Sequence, residues 1–164
     1  MVVSKQARPG ATIFGPPDNP AKKIKRFLPL AKYLAGHLGE FGITEGRVTI
    51  ARDFEEMARL LQEGKADIYF DSPFPTLTVQ ELSGSEIILH RWKGGDPTYW
   101  SAYVALRDNG VASVEDLVGK VVAFEEPHST SGFLLPAGAL IERGFSLREV
   151  DGPDSSVGPG EVGY

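Results

Sequence analysis

Cysteine is absent from this 164-residue chain, so disulfides, thiolate metal sites and a cysteine nucleophile are excluded. Histidine is scarce: His37, His90 and His128 lie far apart, which argues against a multi-histidine metal site. No apolar run approaches the length of a membrane span. The first ten residues are polar and lack the apolar stretch of an export signal. Basic residues number 17 against 22 acidic, for a formal net charge of -5, and no basic patch dominates. Nucleic acid is therefore not the expected partner. The local run Lys22, Lys23, Lys25 and Arg26 reads as the wet face of a helix. Cofactor motifs are missing too. The Gly-Lys pairs at Gly64-Lys65 and Gly119-Lys120 lack phosphate-loop spacing, and the first strand leads to Pro16-Pro17 rather than a glycine-rich turn. No cofactor is expected.

What is present has the balance of a folded domain, 41% hydrophobic and 24% charged. The length allows one good core or two small lobes. Strand and helix patterns alternate, which signals an α/β fold with a largely parallel sheet. Ala11 to Gly15 reads as a first strand, stopped by Pro16-Pro17-Asp18-Asn19-Pro20. Ile24, Phe27, Leu28, Ala31, Leu34, Ala35 and Leu38 then share one helical face, with Pro29 inside predicting a kink or two shorter helices. Arg47 to Ala51 reads as a strand. Asp53 to Glu56 forms a capping box opening a helix that Gly64 ends. Ala66 to Phe70 reads as a buried strand, stopped by Asp71-Ser72-Pro73-Phe74-Pro75, with a short helix beyond. Glu86 to Trp92 and Tyr99 to Arg107 read as two more strands.

A second unit is expected from Asp108, with Ser113 capping a one-turn helix through Leu117 and a strand over Lys120 to Phe124. Phe133, Leu134, Ala137, Leu140 and Ile141 then mark a helix ended by Gly144. The tail from Asp151 to Tyr164 is rich in Gly, Pro and Ser. It reads either as a flexible terminus or as a chain stopping within a domain. One strong strand and one full helix after Asp108 favour the second reading.

The run His128-Ser129-Thr130-Ser131-Gly132 is the strongest chemical signal. It lies between a strand and a helix start, where backbone N–H groups and the helix dipole favour an oxyanion without a formal positive charge. A plain Ser/Thr cap, with one hydroxyl used and two exposed, is the competing reading. Glu125-Glu126 reads as an exposed strand end, although a carboxylate near the site would favour ligands bearing an amine.

These residues, in this order, resemble the periplasmic substrate-binding proteins of phosphonate and phosphite uptake systems of the ABC transporter type. The resemblance runs from about Thr12 to Tyr164. It is carried by Phe27-Leu28-Pro29-Leu30-Ala31-Lys32-Tyr33-Leu34, Glu63-Gly64-Lys65-Ala66-Asp67-Ile68, the Ser72-Pro73 turn, Tyr99-Trp100-Ser101, Val114-Glu115-Asp116-Leu117-Val118-Gly119-Lys120, and Ser129-Thr130-Ser131-Gly132 with Pro136. It implies a two-lobed, type II-like periplasmic-binding-protein fold whose first lobe is nearly complete and whose second is truncated. The first α/β lobe would span 11–98, a crossing hinge strand 99–107, and the start of the second lobe 108–164. Ser129, Thr130 and Ser131, with Gly132 in the same turn, would hold the phosphonate or phosphite oxygens. Tyr99 and Ser72 would face the cleft, and His128 would be a weaker ligand or rim contact. The implied partners are a small oxyanion and an ABC permease in the inner membrane, and the implied location is periplasmic or otherwise extracytoplasmic.

The resemblance implies recognition without turnover. A tetrahedral oxyanion presents three oxygens to converging donors. A P–H or P–C face would then need an apolar wall, for which Tyr99 and Trp100 are candidates, alternation allowing only one of them inward. Two other readings use the same residues. A sensing domain of a signalling protein would have identical site chemistry. An α/β hydrolase would need a serine with a positioned base, and no Gly-x-Ser-x-Gly elbow occurs.

Overall fold

Apolar residues at helical spacing build α1 (Pro20–His37), which buries Ala31 and Ala35. Phe27, Leu30 and Leu34 from the same face pack with Ile68, Val48 and Phe70. The structure, a computed structural model, describes residues 2–3, 20–92 and 94–164. The strand expected over 11–15 lies outside them. Pro29 does not divide α1: one 18-residue helix runs through it, with the ring on the exposed side. A proline removes one backbone hydrogen bond, while the buried Ala31–Ala35 stripe continues beyond it and keeps the helix docked. A Cβ on Gly46 would fall on the Ala31 backbone, so glycine is what lets that loop lie against α1.

The chain clusters into two compact units, Met1–Pro97 and Thr98–Tyr164. In the first unit, Asp53 opens α2 (Phe54–Gln62) by accepting the Glu56 N–H at 2.7 Å. Glu56 reaches back as the capping box requires, although it takes the N–H of Arg52, also at 2.7 Å, rather than that of Asp53. Met57 and Leu61 carry α2 onto a core with Ala51, Ala66, Tyr69 and Val79. Val79 comes from α3 (Pro73–Ser83), which Pro73 starts and Gly84, at positive φ, ends.

A small sheet completes this unit. β1 (Val2–Val3) lies between β2 (Ile68–Tyr69) and β3 (Glu86–Ile87) and pairs antiparallel with both. Five expected strands are shorter or unpaired: 66–70 keeps a ladder only at Ile68–Tyr69, and 120–124 keeps only an isolated bridge at Val121. Arg47 to Ala51 forms no ladder among the described residues, yet Ala51 is fully buried and Val48 and Ile50 pack inward. Its apolar pattern reports burial, whereas a strand also needs a neighbour for its backbone groups. Past Ile87 the expected strand leaves Ile88, Leu89 and Trp92 exposed, and Tyr99 to Arg107 leaves Trp100, Val104 and Leu106 exposed without a ladder among the described residues.

The second unit pairs in parallel. β4 (Ser146–Arg148) lies beside β5 (Glu161–Gly163), and Val121 bridges to Gly163. The Gly119 N–H donates to the Glu161 carbonyl at 2.8 Å and the Gly163 N–H to the Lys120 carbonyl at 2.9 Å. Val162 is fully buried and forms a core with Leu117 and with Leu140 of α4 (Leu135–Glu142). The flexible reading of the Gly/Pro/Ser-rich tail is thereby corrected: three residues at its end supply a core strand. Ser113 also differs from its expected role. It does not accept as a cap; its N–H and hydroxyl both donate to the Asp116 carboxylate, at 2.8 and 3.0 Å. The Ala112 N–H, then the N–H and hydroxyl of Ser113, hold the Asp116 carboxyl below its ordinary range.

Candidate functional site

Two hydroxyl-bearing turns carry the candidates, and each unit holds one. In the second unit a five-residue π turn (Thr130–Leu134) precedes α4, and Ser129 caps it. The Ser129 hydroxyl oxygen accepts the Gly132 N–H at 3.0 Å, so that donor is committed inside the turn. Thr130 is buried at 6% exposure. Ser131 is half-buried, and its carbonyl accepts the Ser101 hydroxyl at 2.8 Å. Among the described residues nothing bonds to the Ser131 hydroxyl or N–H. The plain-cap reading therefore holds for Ser129 alone, while Ser131 keeps its donors.

A groove of about 760 Å³ adjoins the turn, lined by Ser131 and Gly132 with Tyr103, Val111, Phe124 and Pro136 among others. Tyr103 is fixed there by donating its hydroxyl to the Pro136 carbonyl. Burial pushes that phenol up, opposed by the charge of Arg143. The apolar wall beside Ser131 is thus Tyr103 and Phe124. Tyr99 and Trp100 do not line the groove, and both are exposed, Trp100 at 89%. His128 is half-buried just before the cap.

In the first unit, Ser72 starts α3 without a side-chain capping bond. Its N–H donates to Asp71 Oδ1 at 2.7 Å, and its hydroxyl lies 3.3 Å from the same oxygen. The other Asp71 oxygen accepts the buried Tyr69 hydroxyl at 3.0 Å. Sequence reasoning missed a counterpart in the second unit: the Ser129 hydroxyl donates to Glu125 Oε2 at 2.6 Å. The four-residue separation gives no signal on its own, because only the turn's fold brings the pair together. Groups of three or more His, Cys, Asp or Glu side chains placed to hold a metal are absent among the described residues.

Solved structures share this architecture. XAC2383 from Xanthomonas citri, bound to chloride ion, superposes with a TM-score of 0.79 at 24% identity, covering 94% of this chain and 56% of that one. The same protein bound to ATP gives 0.77 at 22% identity, covering 96% of this chain and 56% of that one. The fold is accordingly the α/β, periplasmic-binding-protein-like fold. The chain belongs to the family of phosphonate periplasmic substrate-binding proteins of ABC transporters, whose sequence model matches residues 13–159. It is 30% identical over 134 residues to the phosphate-import protein PhnD of Mycolicibacterium smegmatis, covering 79% of this chain and 40% of that protein. The chain thus spans roughly half the length of these relatives.

Proposed function

We propose that this protein binds phosphonate, phosphite, phosphate or a related oxyanion and delivers it to an ABC-type importer, without catalysis. It would act outside the cytoplasmic membrane and dock on a permease within it. The observation that carries the reading is Ser131. Its hydroxyl and N–H are unengaged among the described residues, at a turn leading into a helix, beside a groove with an apolar wall. A desolvated oxyanion there would gain about 1.5–3 kcal/mol from each charge-assisted hydrogen bond. Tyr103 and Phe124 suit a P–H or P–C face, which offers no group to hydrogen-bond. Thr130 and Ser129 would complete the contact, with Ser72, Tyr99 and His128 as further contacts, and closure of two lobes on the ligand belongs to the same proposal.

Family membership and the relative's phosphate-import name support transport over the other readings. A sensing role would share this site and differ in the partner. The hydrolase reading is disfavoured by a bond: the Ser129 hydroxyl donates its hydrogen bond to Glu125, not to the adjacent His128. Thermal unfolding of the intact protein with phosphite, methylphosphonate, 2-aminoethylphosphonate, phosphate and sulfate tests the proposal. A ligand at 100 times its dissociation constant adds about 2.7 kcal/mol of stability. A selective upward shift supports the proposal; unchanged transitions with every oxyanion would refute it.

A further inference from the structure

Glu125 occupies the turn that the proposed ligand would use. Its backbone N–H donates to the Gly132 carbonyl at 3.0 Å, which fastens the segment after Phe124 to the turn. Its carboxylate takes the Ser129 proton at 2.6 Å. A Cβ on Gly132 would fall inside that same carboxylate, so the glycine is what admits it. Ser129 has a single hydroxyl proton, and its oxygen already accepts the Gly132 N–H. With the proton committed to Glu125, Ser129 has none to give to an incoming oxyanion. A ligand oxygen gains Ser129 only if the carboxylate withdraws, and two anions at one turn repel each other.

We infer that Glu125 is an internal competitor whose carboxylate holds the place of a ligand oxygen at Ser129, so that its displacement sets the affinity of the turn. The inference rests on the oxyanion reading above. Only hydrogen bonds are exchanged: a ligand oxygen accepts the hydrogen bond of the Ser129 hydroxyl, and the carboxylate moves into water. Glu125 is an exposed residue, so withdrawal buries no charge. The competing role for an acid beside such a site is to grip a ligand's ammonium group, and it predicts the opposite effect of removing the side chain.

The experiment has two arms. Calorimetric titration compares the intact protein with Glu125→Ala and Glu125→Gln, using methylphosphonate and 2-aminoethylphosphonate as probes. Both variants are expected to bind methylphosphonate roughly tenfold more tightly, the equivalent of one charge-assisted hydrogen bond no longer broken on binding. Unchanged or weaker methylphosphonate binding in Glu125→Ala, or a loss confined to 2-aminoethylphosphonate, overturns the inference. The second arm needs no ligand. A double-mutant cycle of Glu125→Ala and Ser129→Ala on thermal unfolding is expected to show that the two effects do not add. Additive effects mean that the carboxylate is not seated, which overturns the inference whatever the ligand. Coupling without oxyanion binding in any of the proteins overturns the oxyanion reading, and the competition with it, while the Glu125–Ser129 contact stands.

Discussion

The buried phenol of Tyr69 donates to Asp71 Oδ2 at 3.0 Å, while Asp71 Oδ1 takes the N–H of Ser72 at the start of α3. One carboxylate thus joins the sheet to the helix behind it. Burial, then the Asp71 charge and hydrogen bond, push the Tyr69 phenol above its ordinary range. Asp71→Ala removes an acceptor from a buried hydroxyl and is expected to cost about 1–3 kcal/mol in urea unfolding. Tyr69→Phe, which removes the donor as well, should cost less. The reverse order would mean that the hydrogen bond is not what joins them.

The cap on α2 gives a second expectation. Asp53→Ala deletes the acceptor of the Glu56 N–H and should destabilise the first unit by about 1 kcal/mol, whereas Asp53→Asn should largely preserve it. Chemical denaturation of the two variants side by side checks the difference.

Asp67 sets a pH dependence. Burial raises its carboxyl from 3.8 to about 6, so the folded chain holds this proton more tightly than the unfolded chain. The stability it contributes is full below the unfolded value and is lost as pH rises through about 6. Asp67→Asn should therefore flatten stability between those two pH values and stabilise the protein near neutrality, by about 3 kcal/mol. A wild-type pH profile that the substitution leaves unchanged would show that Asp67 does not titrate in this way.

In the second unit, Leu140 is fully buried against Val162 and Leu117. Leu140→Ala should cost about 2–5 kcal/mol in thermal or chemical unfolding. Val162→Asp places an unpaired charge in the same core and should prevent the unit from folding cooperatively. A folded, cooperative Val162→Asp protein would contradict the place given to β5.

Much of this architecture was legible in the sequence because local chemistry enforces it. Asp53 and Glu56 stand at capping-box spacing, the α1 apolar residues recur at helical period, and Gly64 and Gly144 stop helices at positive φ. Strands were less legible. Apolar alternation over 47–51 and 99–107 marks residues suited to burial or to a pleat, but the ladder depends on a partner elsewhere in the chain. In the tail, Gly, Pro and Ser content hid Val162, a core residue, although the unfinished unit before it already favoured a chain stopping within a domain. At the candidate site, the cap at Ser129 was visible from residue type. The carboxylates facing Ser129 and Ser72 were not, since a fold-dependent approach decides Glu125 and a backbone turn decides Asp71.

The central claim is oxyanion recognition at the turn containing Ser131. The measurement that reaches it most directly is calorimetric titration of the intact protein and its Ser131→Ala variant with methylphosphonate and phosphite. The account predicts binding by the intact protein and a loss of about 1.5–3 kcal/mol in the variant, with the unfolding midpoint of the ligand-free protein unchanged. Equal affinities in the two proteins would contradict it.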